Sequence, residues 1–148
     1  MTAAIELARP GDLASVLPLL ERHQLPLEGA RQLGETMVVA RASGRVVGAA
    51  ALEIYADAAL LRSVVVDAGM QGQGIGQQLT AAAVALAAER GVGTLFLLTT
   101  TAAGFFARLG FAEVAREDVP ALVRTSVEFE SACPASAVVM RRNLSFER

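Results

Sequence analysis

The chain has 148 residues, a length that fits one domain spanning 1–148 with a real core. Its thirteen basic residues are all arginine, scattered along a chain with fifteen acids, a net charge of −2 and one tyrosine, so nucleic-acid binding has little support. A single cysteine, Cys133, excludes an internal disulfide and any multi-cysteine metal site, and a single histidine, His23, argues against zinc.

Hydrophobic residues make up 53% of the chain, much of it alanine. The longest apolar run, around 81–88, is too short to span a bilayer. The first eight residues carry no basic region followed by an apolar core. The expectation is a cytoplasmic protein with no membrane partner and no metal.

Residues 4–8 suit a short strand. Arg9-Pro10-Gly11-Asp12 breaks it, and Asp12 can cap the next helix. That helix is expected over 13–23, with Val16, Leu17 and Leu20 on one face and Pro18 tolerated in its early turns. Leu25-Pro26 ends it, and 27–33 suits a second short helix. Residues 36–40 read as a strand, 42–45 as a hairpin turn and 46–55 as the returning strand. Asp57-Ala58 turns the chain into a β-branched strand over 60–66. Four glycines then fall between 69 and 76. From Ile75 the larger apolar side chains recur at Leu79, Ala83 and Leu86, a helical stripe that Arg90-Gly91 stops. A strand over 94–100, a short helix over 102–109 and a strand over 111–114 follow. Residues 120–130 are polar, helical or irregular; Cys133-Pro134 breaks them, and 137–143 makes the last strand.

The glycine turn has a physical task. The first turn of a helix leaves N–H groups without partners, and the macrodipole adds partial positive charge there. Glycines let a phosphate approach that backbone. A P-loop needs a lysine, and the chain has none. A dinucleotide fingerprint needs G-x-G-x-x-G and a later acid. Gly72 and Gly74 fit it, but Gln77 holds the third position and 95–101 contains no acid. What remains is Gln71-x-x-Gly74-x-Gly76 directly after a strand.

That pattern resembles the acyl-CoA pyrophosphate loop of the GNAT superfamily of N-acetyltransferases, written Arg/Gln-x-x-Gly-x-Gly/Ala. The stretch Phe105-Phe106-Ala107-Arg108-Leu109-Gly110-Phe111 resembles that family's second signature, F/L-Y-x-x-x-G-F. The β-α-α-β-β-β-α-β-α-β-β order is similar to the same fold over nearly the whole chain. The run LFLLTTTAAGFFARLGF resembles the acetyltransferase domain of N-acetylglutamate synthases. The tail EFESACPASAVVMRRNL and the LLRS at 60–63 resemble small acetyltransferases of arsenic-resistance operons.

The resemblance implies an α/β (α+β) fold: a central mixed, mostly antiparallel sheet of six to seven strands, flanked by helices and splayed at the acyl-CoA strand. It implies acetyl-CoA as cosubstrate. Gln71, Gly72, Gln73, Gly74, Ile75, Gly76 and Gln77 would hold the pyrophosphate. The backbone of Val64, Val65 and Val66 would pair with the pantetheine arm, and Phe105, Phe106 and Arg108 would flank the arm and the adenosine end, unless the phenylalanines are ordinary core. The implied reaction is attack of a neutral amine on the acetyl thioester. The partner is then a small-molecule amine acceptor, an amino acid or an arsenic- or phosphorus-containing glutamate analogue, with a homodimer left open.

An α-amine near pKa ~8 is roughly a tenth neutral at pH 7, so it needs only modest help from a base. Glu53 is the candidate base, or else a solvated strand residue. Many family members have a tyrosine where Phe106 stands, and phenylalanine cannot protonate a thiolate. Ser63 is the candidate acid, with Tyr55, Cys133 or solvent as substitutes. Arg62 and Arg124 are candidate clamps for an anionic acceptor. Strand alternation would put Arg62 and Val64 on one face and Ser63 and Val65 on the other. Thr99 is a pocket edge or a helix cap, and His23 a surface residue near a helix end or an acceptor-wall residue. The competing readings are a non-catalytic acyl-CoA-binding module, a protein-directed acetyltransferase and an arsenic-binding regulator.

Overall fold

The computed structural model describes residues 3–132 and 136–144. Strand β1 (Ala4–Leu7) leads into helix α1 (Leu13–Arg22), then strands β2 (Met37–Ala42), β3 (Arg45–Tyr55) and β4 (Ala58–Val66). Helix α2 (Ile75–Glu89), strand β5 (Thr94–Thr99), helix α3 (Ala103–Arg108) and strand β6 (Ala112–Glu113) follow. The short helix α4 (Ala121–Arg124) and strand β7 (Val138–Asn143) complete the order. The seven strands form one sheet in the order β1-β2-β3-β4-β5-β7-β6. Every neighbouring pair is antiparallel except β4 and β5. The mixed, mostly antiparallel sheet of six to seven strands that the resemblance implied is observed with seven.

The pairing follows from the local chemistry. Ser43 and Gly44 both take positive φ, 53° and 74°, the backbone of a tight two-residue hairpin that joins β2 to β3. The run Val46–Leu52 is buried throughout, because helices cover both faces of the sheet. On one face Ile75, Leu79, Ala83 and Leu86 of α2 pack with Val38, Val47, Leu52, Leu61 and Leu95, as the helical stripe required. On the other, Val16, Leu19 and Leu20 of α1 pack with Met37, Val39, Ala49 and Val65. A smaller cluster around Leu60, Phe96, Val123 and Val139 closes the same side beneath α4.

Two local expectations are corrected. Asp12 does not cap α1 with its side chain. Its carboxylate accepts hydrogen bonds from the Arg9 N–H at 2.7 Å and from Arg41 at 2.8 Å. Burial pushes its pKa up, but the Arg41 and Arg9 hydrogen bonds outweigh that and hold the group below the usual carboxylate range. The second short helix at 27–33 is only a 3-10 turn, Ala30–Gln32, entered through Gly29 at φ 79°. Among the described residues, no helix is long and apolar enough to cross a membrane.

Candidate acyl-transfer cleft

The parallel contact of β4 with β5 is short. Ala58, Ala59 and Leu60 pair with Thr94, Leu95 and Phe96, and beyond Leu60 the strands diverge. On the other side β4 carries an irregularity: Ala49 pairs with Val65 but Ala51 pairs with Arg62, so Ser63 and Val64 together oppose Ala50. Ser63 sits there at φ 60°, a left-handed conformation unusual for a side-chain-bearing residue. The bulge corrects the expected alternation. Val64 and Val66 lie with Leu61 on the α2 face, whereas Val65 lies on the α1 face.

The divergence opens into a cleft of about 1140 Å³. Arg62, Ser63, Val64, Val65 and Val66 form one side, and Thr99, Phe105 and Phe106 the other. Gln71, Gly72, Gly74, Ile75, Gly76 and Gln77 form one end. Gln71 donates its side-chain amide to the Val66 carbonyl at 3.1 Å, which ties the turn to the end of β4. Gly72 and Gly74 have φ of 82° and 81°, and Gly74 is the N-cap of α2. A side chain at Gly74 would be strained although no atom lies within 4 Å of the Cβ site. The first helical bond is Gln78 N–H to the Gly74 carbonyl, so the N–H groups of Ile75, Gly76 and Gln77 have no intrahelical acceptor. That cradle fits a pyrophosphate in charge and space.

Phe105 and Phe106 line the cleft and also pack in the core. Their rings meet edge to face at 5.0 Å, and Phe106 meets Phe111 at 5.8 Å. Thr99 likewise lines the cleft while its hydroxyl accepts the Ala102 N–H at 3.0 Å ahead of α3. Gln73 and Arg108 are exposed and do not line the cleft.

The side expected to meet an acceptor differs most from the expectation. The Arg62 side chain is fully buried. One Nη bonds a Glu53 oxygen at 2.7 Å and the other bonds the Pro26 carbonyl at 3.2 Å. Its Nε reaches the Ser63 hydroxyl at 3.1 Å and Glu128 at 3.2 Å. Gly29 turns against this cluster: a Cβ there would lie 3.1 Å from the Arg62 guanidinium. Arg62 therefore binds β4, β3, the segment after α1 and the turn Glu128–Ala132 together rather than presenting an open fork. Glu53 is not brought into the cleft. It lines a shallower pocket of about 370 Å³ with Tyr55, Thr36 and Val127, and its second oxygen accepts the Tyr55 hydroxyl. Burial, followed by that hydrogen bond, raises the Tyr55 pKa. Arg124 is exposed at the end of α4, away from the cleft. His23 does line it, beside Glu21 and Glu28. Cys133 lies outside the described residues. Sequence reasoning missed Glu128, 4% exposed and on the cleft wall. It opens the EFESACPASAVVMRRNL run, but its role is not legible there because its partner Arg62 is remote in sequence.

The family model of the acetyltransferase (GNAT) domain matches residues 34–113, which run from the entry to β2 through the splayed strand and glycine turn to β6. The chain belongs to the GNAT acetyltransferase family. An uncharacterized N-acetyltransferase of Chlorobaculum tepidum, CT2212, is 37% identical to this GNAT chain over 83 residues, 55% of the chain and 53% of the relative. The chain thus matches about half the length of that curated relative. Among solved structures, N-acetylglutamate synthase from Neisseria gonorrhoeae, complexed with coenzyme A and N-acetyl-glutamate, superposes with a TM-score of 0.83 at 24% identity. The match covers 97% of this chain and 35% of the synthase. Rv2747 from Mycobacterium tuberculosis, in complex with CoA and a second ligand, gives 0.82 at 26% identity, over 95% of this chain and 99% of that one.

Proposed function

We propose that the chain is an acetyl-CoA-dependent N-acetyltransferase acting on the amine of a small, amino-acid-like acceptor. One observation carries the reading: the gap between β4 and β5 and the unpartnered N–H groups at the start of α2 belong to the same cleft. A thin extended arm fits the first and a pyrophosphate the second. The CoA-bound relatives of the same fold support this reading.

Acetyl-CoA supplies an acyl thioester when bound. In this reading the glycine turn neutralises its phosphates through Gly76 and Gln77, and the unpaired edge of β4 aligns the arm. Phe105 and Phe106 keep water from one wall of the gap. Ser63 accepts the Arg62 N–H through its oxygen, so its own O–H remains to donate to a departing thiolate at the bulge. Amine acceptors suit the other end, where Glu21, Glu28 and Glu128 line the wall and Arg62 already faces two carboxylates. The glutamate analogue carrying arsenic or phosphorus rests on the tail resemblance.

The test is CoA release from acetyl-CoA against glutamate, other free amino acids, phosphinate and arsinate analogues of glutamate, polyamines and a lysine peptide. Preference for one small amino-acid-like acceptor is the expected result. Acetyl-CoA binding without release for any acceptor would overturn the enzymatic reading in favour of a binding module.

A further inference from the structure

Resting on that reading, we infer that Glu128, and not a strand residue, takes the proton from the acceptor amine, with Arg62 as its positioning residue and Ser63 as its partner.

The geometry divides the two carboxylates around Arg62. Glu53 meets the guanidinium from the side of the shallow pocket, with one oxygen on an Arg62 Nη and the other on the Tyr55 hydroxyl. Glu128 meets it from the cleft side, at Nε. That same Nε donates to Ser63 at the bulge where β4 leaves β5. A carboxylate and a hydroxyl are therefore held by one nitrogen at the mouth of the gap that receives the thioester. An acceptor arriving as an ammonium meets a wall lined by the carboxylates of Glu21, Glu28 and Glu128. Among the described residues, the other titratable groups lining this end are Glu21, His23 and Glu28, and Tyr55 lies within electrostatic reach of Glu128 from the shallow pocket.

The chemistry balances. The amine nitrogen bonds to the acetyl carbon as the carbon–sulfur bond breaks. The ammonium first loses one proton through Glu128 to solvent at the open mouth of the cleft, and the second proton, lost as the amide forms, goes to a Glu128 oxygen. The sulfur takes the Ser63 hydroxyl proton, and Glu128 returns one to the Ser63 oxygen. The products are the amide and free CoA thiol, with both side chains restored. Arg62 holds the Glu128 carboxylate in place through its Nε.

The experiment compares wild type, Glu128→Gln, Glu53→Gln and Glu128→Ala, using the best amine of the panel. Glu128→Gln lowers kcat by about 100-fold or more and removes the acid limb of the kcat/KM profile. Acetyl-CoA affinity, titrated directly, stays within about twofold. Added formate restores part of the Glu128→Ala rate, a response that a purely structural role would not give. Glu53→Gln slows turnover through Arg62 but retains the acid limb. The assignment is overturned if Glu128→Gln stays within about threefold with its acid limb intact, if Glu53→Gln loses the limb instead, or if formate does nothing. A wild-type protein that turns over no amine removes the enzymatic reading and this assignment with it; wild-type turnover with an indifferent Glu128 removes only the assignment.

Discussion

Replacing Arg62 by methionine tests whether the acceptor wall hangs on one guanidinium. The side chain is fully buried and pairs with Glu53 at 2.7 Å and Glu128 at 3.2 Å; the two carboxylate side chains are 12% and 4% exposed. Removing one partner of a buried ion pair costs about 3–5 kcal/mol, chiefly because the other charge stays buried. Here two carboxylates lose the guanidinium and the Pro26 carbonyl loses a donor. Glu53 keeps the Tyr55 hydroxyl and some solvent, which offsets part of the loss. The expected cost is about 4 kcal/mol, or a melting temperature lower by about 8–16 °C for a chain of this size. Calorimetry at neutral pH reads it directly. The triple variant Arg62→Met, Glu53→Gln, Glu128→Gln should recover more than half of the drop, since neutral groups of similar shape carry no stranded charge. A single-variant shift under about 3 °C, or a triple variant no better than the single, would refute the account.

Two other outcomes are expected. Gly74→Glu should abolish acetyl-CoA binding, since φ of 81° penalises any side chain by about 1–2 kcal/mol and the new carboxylate repels a pyrophosphate; unchanged affinity by titration would remove the glycine turn as the anion site. Tyr55 contributes to alkaline stability. It is the one tyrosine in a chain without lysine, and its folded pKa is raised above the unfolded value near 10. Its contribution is therefore complete below that value and lost as pH rises above it. The slope between the two values approaches about 1.4 kcal/mol per pH unit, and partial exposure of the ring shortens the pH span over which it acts. Urea denaturation at successive alkaline pH values should show the slope in wild type and not in Tyr55→Phe; equal slopes would contradict it.

The elements most legible in the sequence were those whose signal is local. The glycine turn and the α2 stripe announce themselves by composition and period, and the hairpins by Ser-Gly and by their flanking β-branched runs. The site was legible along β4 and α2 and obscure at the acceptor wall. Serine carries no mark that it will adopt φ 60°, so the bulge and its reversal of faces were hidden. Arginine is ordinarily a surface residue, and nothing near Arg62 in the sequence reveals that Glu53, Pro26 and Glu128 converge on it. Asp12 misled for a related reason: Arg41, a strand away, competes with the helix for its carboxylate.

In the proposed reading, the three residue pairs that join β4 to β5 also tie the stability of the chain to its ligand. Beyond them the backbone of β4 lacks a neighbouring strand on that side, and a molecule lying in the gap completes the sheet. Binding confined to the folded chain adds RT ln(1 + [L]/Kd) to its stability, about 2.7 kcal/mol at a hundredfold excess over Kd. Depletion of the thioester pool would then do more than idle the site. It would raise the unfolded fraction that proteases remove, so the amount of the protein would follow the supply of what it consumes.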